Sequence, residues 1–210
     1  MDGLLIDSER IVQKSWKIAG DRMGYQGMDQ VIYPLLGVNR AGRDIYFKEH
    51  LGEEFPCDEF AAKASQAFYE IAEDGVPIKE GAKDLLEYGK SKGLSMALTT
   101  SSRKEYATKV LGDLRILDYF DGMVTGDMVT HSKPDPEIYL RGAKLLGLKT
   151  SECMALEDAV AGIKAAHSAG TVPILVPDLI EPPEEIVRLA YRKCKSLLDV
   201  IPILEELERK

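Results

Sequence analysis

The chain has 210 residues, 45% of them hydrophobic and 30% charged, which suits a soluble globular domain or one domain with a smaller insert. Its 35 acidic against 27 basic residues leave a net charge of −8, which excludes the basic face that a nucleic-acid or acidic-membrane partner requires. No run of about 18 apolar residues is present, Met1-Asp2-Gly3-Leu4 has no signal-peptide layout, and Cys57, Cys153 and Cys194 form no CxxC pair, so a reduced, cytoplasmic protein is expected.

In chain order, residues 8–74 show no β run. Ile11, Trp16, Ile18 and Met23 keep helical spacing, as do Phe60, Ala64, Phe68 and Ile71, so a helical insert closed by Asp74-Gly75 is predicted. From residue 94 the pattern changes to short apolar runs separated by amphipathic stretches. The runs are Leu94–Thr100, Gly122–Thr125, Cys153–Leu156 and Val172–Val176, with Leu197-Leu198 as a short last one. Helices are predicted near 103–114, 135–146, 159–169 and 183–192, with Gly170 as a C-cap and Pro182-Pro183 opening the last. Alternating strands and helices imply βαβ units and a doubly wound parallel sheet, an α/β fold whose ligands bind at the carboxyl ends of the strands. Thr100, Ser101, Glu157 and Asp158 close two of the runs and fall at such ends.

Four segments carry residues suited to phosphoryl transfer: Asp2-Gly3 through Asp7-Ser8-Glu9, Thr99–Ser102, Ser132-Lys133-Pro134-Asp135-Pro136, and Glu157-Asp158 with Gly162. Paired carboxylates after a strand are hard oxygen ligands for Mg²⁺. The Thr100 hydroxyl and the amides of Ser101 and Ser102 suit phosphate oxygens. Lys133 is a point charge held on a proline-stiffened loop. Asp2 beside a permissive glycine suits general acid/base work. Taken singly, each segment is an ordinary loop or cap; all of them in this order are specific.

In that order they resemble the haloacid dehalogenase superfamily, in particular its branch of small phosphatases and β-phosphoglucomutase-like enzymes. The resemblance spans essentially the whole chain. It implies an α/β core of residues 1–8 and 75–210 and a mobile helical cap of residues 9–74. It implies a Mg²⁺-dependent phosphatase acting on a small phosphorylated metabolite, a sugar or nucleotide phosphate, and a monomer is expected. Asp2 takes the acid/base position of the family's Asp-x-Asp-Gly motif, with its backbone carbonyl on the metal. Thr100 takes the hydroxyl position and Lys133 the lysine position, while Glu157 and Asp158 take the acidic metal positions. Arg40, in Leu36-Gly37-Val38-Asn39-Arg40, matches the arginine that grips a substrate phosphate in the mutases, or is a surface charge. Ser8 contacts substrate or caps the first helix of the insert. Val12 stands near where the mutases carry a histidine, which favours phosphatase over phosphosugar mutase. The attacking aspartate would stand one position before Met1, and with it the first, central strand. The expectation is therefore that Met1 is internal to a longer natural protein. The alternative is a truncated, inactive paralogue that binds a phosphate ligand.

Overall fold

The structure, a computed structural model, describes residues 1–35, 38, 40–73 and 75–208, with Glu208 by its backbone alone. Leu36, Gly37 and Asn39 of the segment singled out above, and Asp74, lie outside the described residues. The chain forms two compact units, Met1–Asp7 with Pro77–Lys210, and Ser8–Val76.

The second unit is helical. It contains α1 (Ser8–Met23), α2 (Met28–Val31), α3 (Arg40–Leu51) and α4 (Cys57–Ala72). On α1, Ile11, Ser15, Trp16 and Ala19 are buried at intervals of one helical turn, and on α4 so are Phe60, Ala64 and Ala67. Of these, Trp16, Ala19, Phe60 and Ala64 meet in one apolar cluster with Met28, Ile32, Leu35, Phe47 and Phe55. Its aromatic rings pack edge to face, Trp16 against Phe60 at 5.4 Å and against Phe47 at 5.5 Å.

The first unit is α/β. Its elements in order are α5 (Ala82–Ser91), β1 (Ala97–Thr99), α6 (Lys104–Asp113), β2 (Gly122–Val124), α7 (Glu137–Leu146), β3 (Met154–Glu157), α8 (Val160–Ser168), β4 (Val172–Leu175), α9 (Glu184–Val187), β5 (Arg192–Lys193) and α10 (Val200–Glu208). All strand pairs are parallel, as the alternation of runs implied. They fall in two pieces, β1-β2 and β3-β4-β5, and among the described residues no ladder joins β1 to β3. β4 is buried from Pro173 to Leu175, the pattern of a strand covered on both faces. Ile174 and Leu175 are fully buried, and each is worth about 1.5–3 kcal/mol of apolar burial.

The N-terminal residues make a tight loop. The Met1 carbonyl accepts from the amides of Leu4, Leu5 and Ile6, and Gly3 donates to the Ile6 carbonyl at 3.0 Å. Gly3 has φ of 70°, a conformation that favours glycine. Residues 5–7 then pair with 77–79, Asp7 donating to Pro77 at 2.8 Å and Lys79 to Leu5 at 2.9 Å.

The last part of the chain differs from the sequence prediction. The helix expected over 183–192 is confined to Glu184–Val187, and the last strand is Arg192–Lys193 rather than Leu197-Leu198. Tyr191 donates to the Pro173 carbonyl and Cys194 to that of Leu175, which draws this stretch along β4. Asp199 Oδ2 then accepts from the amides of Lys195 and Ser196, so Leu197-Leu198 opens a helix instead of a strand. No helix among the described residues is long and apolar enough to cross a membrane.

Candidate active site

The site is built where β1 and β3 end. Thr100, the residue after β1, is buried and donates its amide to Val124 at 3.0 Å, which prolongs the pairing with β2. Its Oγ1 accepts from the Ser102 amide at 3.1 Å. The turn is pressed against Gly126, whose amide donates to the Ser102 carbonyl and where any Cβ would run into the Ser101 carbonyl. Ser102 Oγ in turn donates to Asp2 Oδ2 at 2.7 Å, and the Tyr106 phenol lies 3.4 Å from Asp2 Oδ1. Both oxygens of Asp2 are thus oriented by residues that follow β1.

At the end of β3, Glu157 is 6% exposed. Its Oε1 accepts from Lys133 Nζ and from the Tyr139 phenol. Its carboxylate also packs against α8 at Gly162, where an added Cβ would overlap it. Burial alone pushes the Glu157 carboxyl up, but the charge and hydrogen bond of Lys133 and the Tyr139 donor outweigh burial and hold it below the usual carboxylate range. The Tyr139 phenol moves the other way. Burial first, and then the charge of Glu157, push it well above its ordinary value, so it remains a protonated donor. Lys133 also sits over the Tyr139 ring, 5.1 Å from its centroid.

Asp158 follows Glu157, and Gly3 lies directly against it: a Cβ on Gly3 would meet the Asp158 carboxylate first and Asp178 Oδ2 at 3.4 Å. Asp178, after β4, accepts from Lys79 Nζ at 2.5 Å with its side chain 4% exposed. Residues 1–3 therefore lie between the end of β1, reached through Ser102, and the end of β3, reached through Asp158.

Of the residues expected from the sequence, Asp2, Thr100, Ser101, Lys133, Glu157 and Asp158 belong to the first unit and share these strand ends. Ser8 and Arg40 belong to the second unit. Ser8 is buried at the start of α1. Arg40, at the start of α3, holds both oxygens of Asp44 through Nε at 2.7 and 2.9 Å, and Asp58 through Nη2 at 2.8 Å. Tyr139, Tyr106 and the Lys79–Asp178 pair were not singled out in the sequence, and Ser102 was singled out for its amide but not for its hydroxyl on Asp2. Tyr139 carried a signal, a phenol on the buried face of an amphipathic helix; the others needed the fold.

One further group with metal-ligand spacing stands on the loop before α7: ligand atoms of His131, Asp135 and Glu137 lie within 4.8 Å of one another. These side chains are engaged in shaping the loop. Glu137 accepts from the amides of Thr130 and His131, and Asp135 accepts from the Glu137 amide at 2.9 Å.

The profile of the haloacid dehalogenase-like hydrolases matches residues 1–170. The chain belongs to this family. Within it, the chain is 31% identical over 171 residues to a phosphorylated carbohydrates phosphatase of Thermotoga maritima, covering 81% of this chain and 79% of the relative. It is 30% identical over 183 residues to hexitol phosphatase B of Escherichia coli, covering 84% and 81%. A crystal structure of a Thermotoga maritima protein described as a candidate β-phosphoglucomutase superposes with a TM-score of 0.82 at 26% identity, over 99% of this chain and 96% of that one. As a haloacid dehalogenase-like hydrolase the chain is an enzyme by family.

Proposed function

We propose that the chain is a phosphatase of a small phosphorylated metabolite, a sugar or sugar-alcohol phosphate. The observation that carries this reading is the convergence of Asp2, Thr100, Lys133 and Asp158 on the ends of β1 and β3. The names of the two phosphatase relatives support the substrate class. In this reading the Thr100 hydroxyl and the Lys133 ammonium hold the phosphoryl oxygens, and Ser101 lies on the turn beside them. Asp2 donates a proton to the leaving oxygen and afterwards accepts one from water, with Ser102 and Tyr106 fixing its direction.

The donor set fits Mg²⁺. Asp158 and Asp2 offer hard oxygens, and the absence of a side chain on Gly3 keeps the Asp158 carboxylate close to the backbone that follows Asp2. Bound there, the ion would neutralise charge on the transferred group. Glu157, already engaged by Lys133 and Tyr139, contributes by holding the lysine in place. In the family pattern the attacking aspartate stands one position before the place that Met1 takes. The helical unit corresponds to the part that the family pattern assigns as cap, and Arg40 within it is held by Asp44 and Asp58. Val12 in place of a histidine supports hydrolysis over phosphosugar transfer. A cytoplasmic monomer fits the free cysteines.

The test compares the 210-residue chain with one extended ahead of Met1 by the family's first strand and its aspartate, on a panel of hexose and hexitol phosphates with Mg²⁺ or EDTA. The extended protein should turn over with Mg²⁺, and Asp2→Asn should lower its kcat about 10²–10⁴-fold. An extended protein inert on the whole panel sinks the reading.

A further inference from the structure

Helix α7 carries one phenol into the strand-end site. Tyr139 is buried on the face of α7 that packs on β1, where a Cβ on Gly142, three residues along, would meet Thr99 Cγ2 at 2.8 Å. The one side chain makes two different contacts with the Lys133–Glu157 ion pair. Its hydroxyl donates to Glu157 Oε1, the oxygen that also accepts from Lys133 Nζ. Its ring lies against the ammonium, 5.1 Å from centroid to Nζ. The Lys133 and Glu157 side chains are 12% and 7% exposed, so water screens neither contact well. The rest of the pair's surroundings are fixed by other means. Gly162 of α8 packs against the Glu157 carboxylate. The loop that carries Lys133 is tied by Glu137, which takes the amides of Thr130 and His131, and by Asp135, which takes the amide of Glu137. Between that loop and the carboxylate runs the flexible four-carbon stem of the lysine, and the Tyr139 ring is what bounds its end.

We propose that Tyr139 is the positioning residue of Lys133: its ring sets where the ammonium rests, and its phenol fixes the direction of the Glu157 oxygen that pairs with it. A cation over a ring face is attracted by the ring quadrupole. A second donor on the shared oxygen keeps the carboxylate from turning after a displaced lysine. An ammonium is a point charge without the planar fork of a guanidinium, so its placement depends on such neighbours. Phenylalanine at this position would supply the ring alone. The hold on Lys133 does not depend on what Lys133 binds; only its consequence for phosphoryl oxygens rests on the phosphatase reading.

Three substitutions separate the parts. Tyr139→Phe keeps the ring and loses the donor, and Tyr139→Leu loses both. Ile138→Val, at a buried neighbour on α7 with no polar atom in its side chain, controls for lost packing. The first readout is NMR of the Lys133 side chain in the 210-residue chain. A ring face moves the ε-methylene protons upfield, and that shift should persist in Tyr139→Phe and collapse in Tyr139→Leu. In the wild type, through-space contacts between the Tyr139 ring protons and the Lys133 ε-protons need no variant to fold. The second readout is acetylation of Lys133, followed by peptide mass spectrometry against the exposed Lys109. The Lys133 rate should rise about threefold or more in Tyr139→Leu, less in Tyr139→Phe, and stay within about twofold in Ile138→Val. In the extended protein, Tyr139→Phe should lower kcat about tenfold and change KM less, as expected when a charge is misplaced rather than lost. An extended protein inert on every phosphate ester removes the phosphatase reading, while the ring shift and the order of acetylation rates still decide the role of Tyr139. No upfield shift in the wild type, a Lys133 rate unchanged in Tyr139→Leu, or an equal rise in Ile138→Val overturns the proposal.

Discussion

Glu157 is a carboxylate almost stripped of water, and its neighbours decide whether it keeps its charge. Lys133 supplies the opposite charge and Tyr139 a neutral donor, both to Oε1. The two should differ when removed. Lys133→Ala leaves a buried charge without its counterion and should cost about 3–5 kcal/mol of stability. Tyr139→Phe keeps the ion pair and removes one hydrogen bond to a charged group, so about 1.5–3 kcal/mol is expected. Urea unfolding at pH 7 checks both, and a larger loss for Tyr139→Phe would refute the ordering. The pH dependence follows from the depressed carboxyl. A group whose folded pKa lies below its unfolded value of 4.5 contributes fully above pH 4.5 and loses that contribution as pH falls through the folded value. Removing Tyr139 raises the folded value toward 4.5. The stability difference between wild type and Tyr139→Phe should therefore be largest at neutral pH and shrink in acid; a difference that holds constant down to pH 3 would count against Tyr139 acting through Glu157.

At the scale of elements, α7 and α8 show how helices are tied to the strand ends. Glu137 opens α7 and takes the amides of His131 and Thr130, which with Arg141 hold its carboxyl down at about 2. Its stabilising effect is present above pH 4.5, the ordinary value, and lost as pH falls through about 2. Glu137→Gln should lower Tm at pH 7, and the gap to wild type should close between pH 4.5 and 2; a gap that widens in acid is the contrary result. On α8, Gly162 leaves the space that the Glu157 carboxylate fills. Alanine there gains up to about 1 kcal/mol of helix propensity but collides with a buried charge, so a net loss of about 1–3 kcal/mol is expected for Gly162→Ala, measured by urea unfolding. A neutral or stabilising outcome would mean that Glu157 is free to move. These ties explain what the sequence did and did not disclose. The polar residues Thr100, Ser101, Glu157 and Asp158 were legible as strand ends, because in a parallel sheet the polar residue that closes an apolar run marks the functional edge, whereas Asp2 and Lys133 were legible only through motif order. Short-range pattern could not tell that Leu197-Leu198 would start a helix, since two leucines fit either period and the Asp199 cap decided. Tyr106 and the Lys79–Asp178 pair were hidden because their partners are met only in three dimensions.

At the scale of the molecule, the chain carries two cores of different kinds. The helical unit is centred on Trp16, Phe47, Phe55 and Phe60, and the α/β unit on aliphatic residues such as Ile163, Ile174 and Leu175. In the α/β unit the ladders are divided between β1-β2 and β3-β4-β5, and an apolar cluster that includes Val124 of β2, Ile138 and Tyr139 of α7 and Ala155 of β3 spans the two pieces. The helical unit has no such division; its aromatic cluster is continuous, with Phe60 1% exposed and within 5.5 Å, ring to ring, of Trp16, Phe47 and Phe55. Phe60→Ala removes the ring common to these contacts and should cost the helical unit about 3–5 kcal/mol. Separate cores predict that the loss is local. Trp16 fluorescence should then unfold at lower urea than in wild type, while the amides of Ile174 and Leu175 keep their hydrogen-exchange protection at the same urea. If fluorescence and exchange shift together, the two cores unfold as one cooperative body.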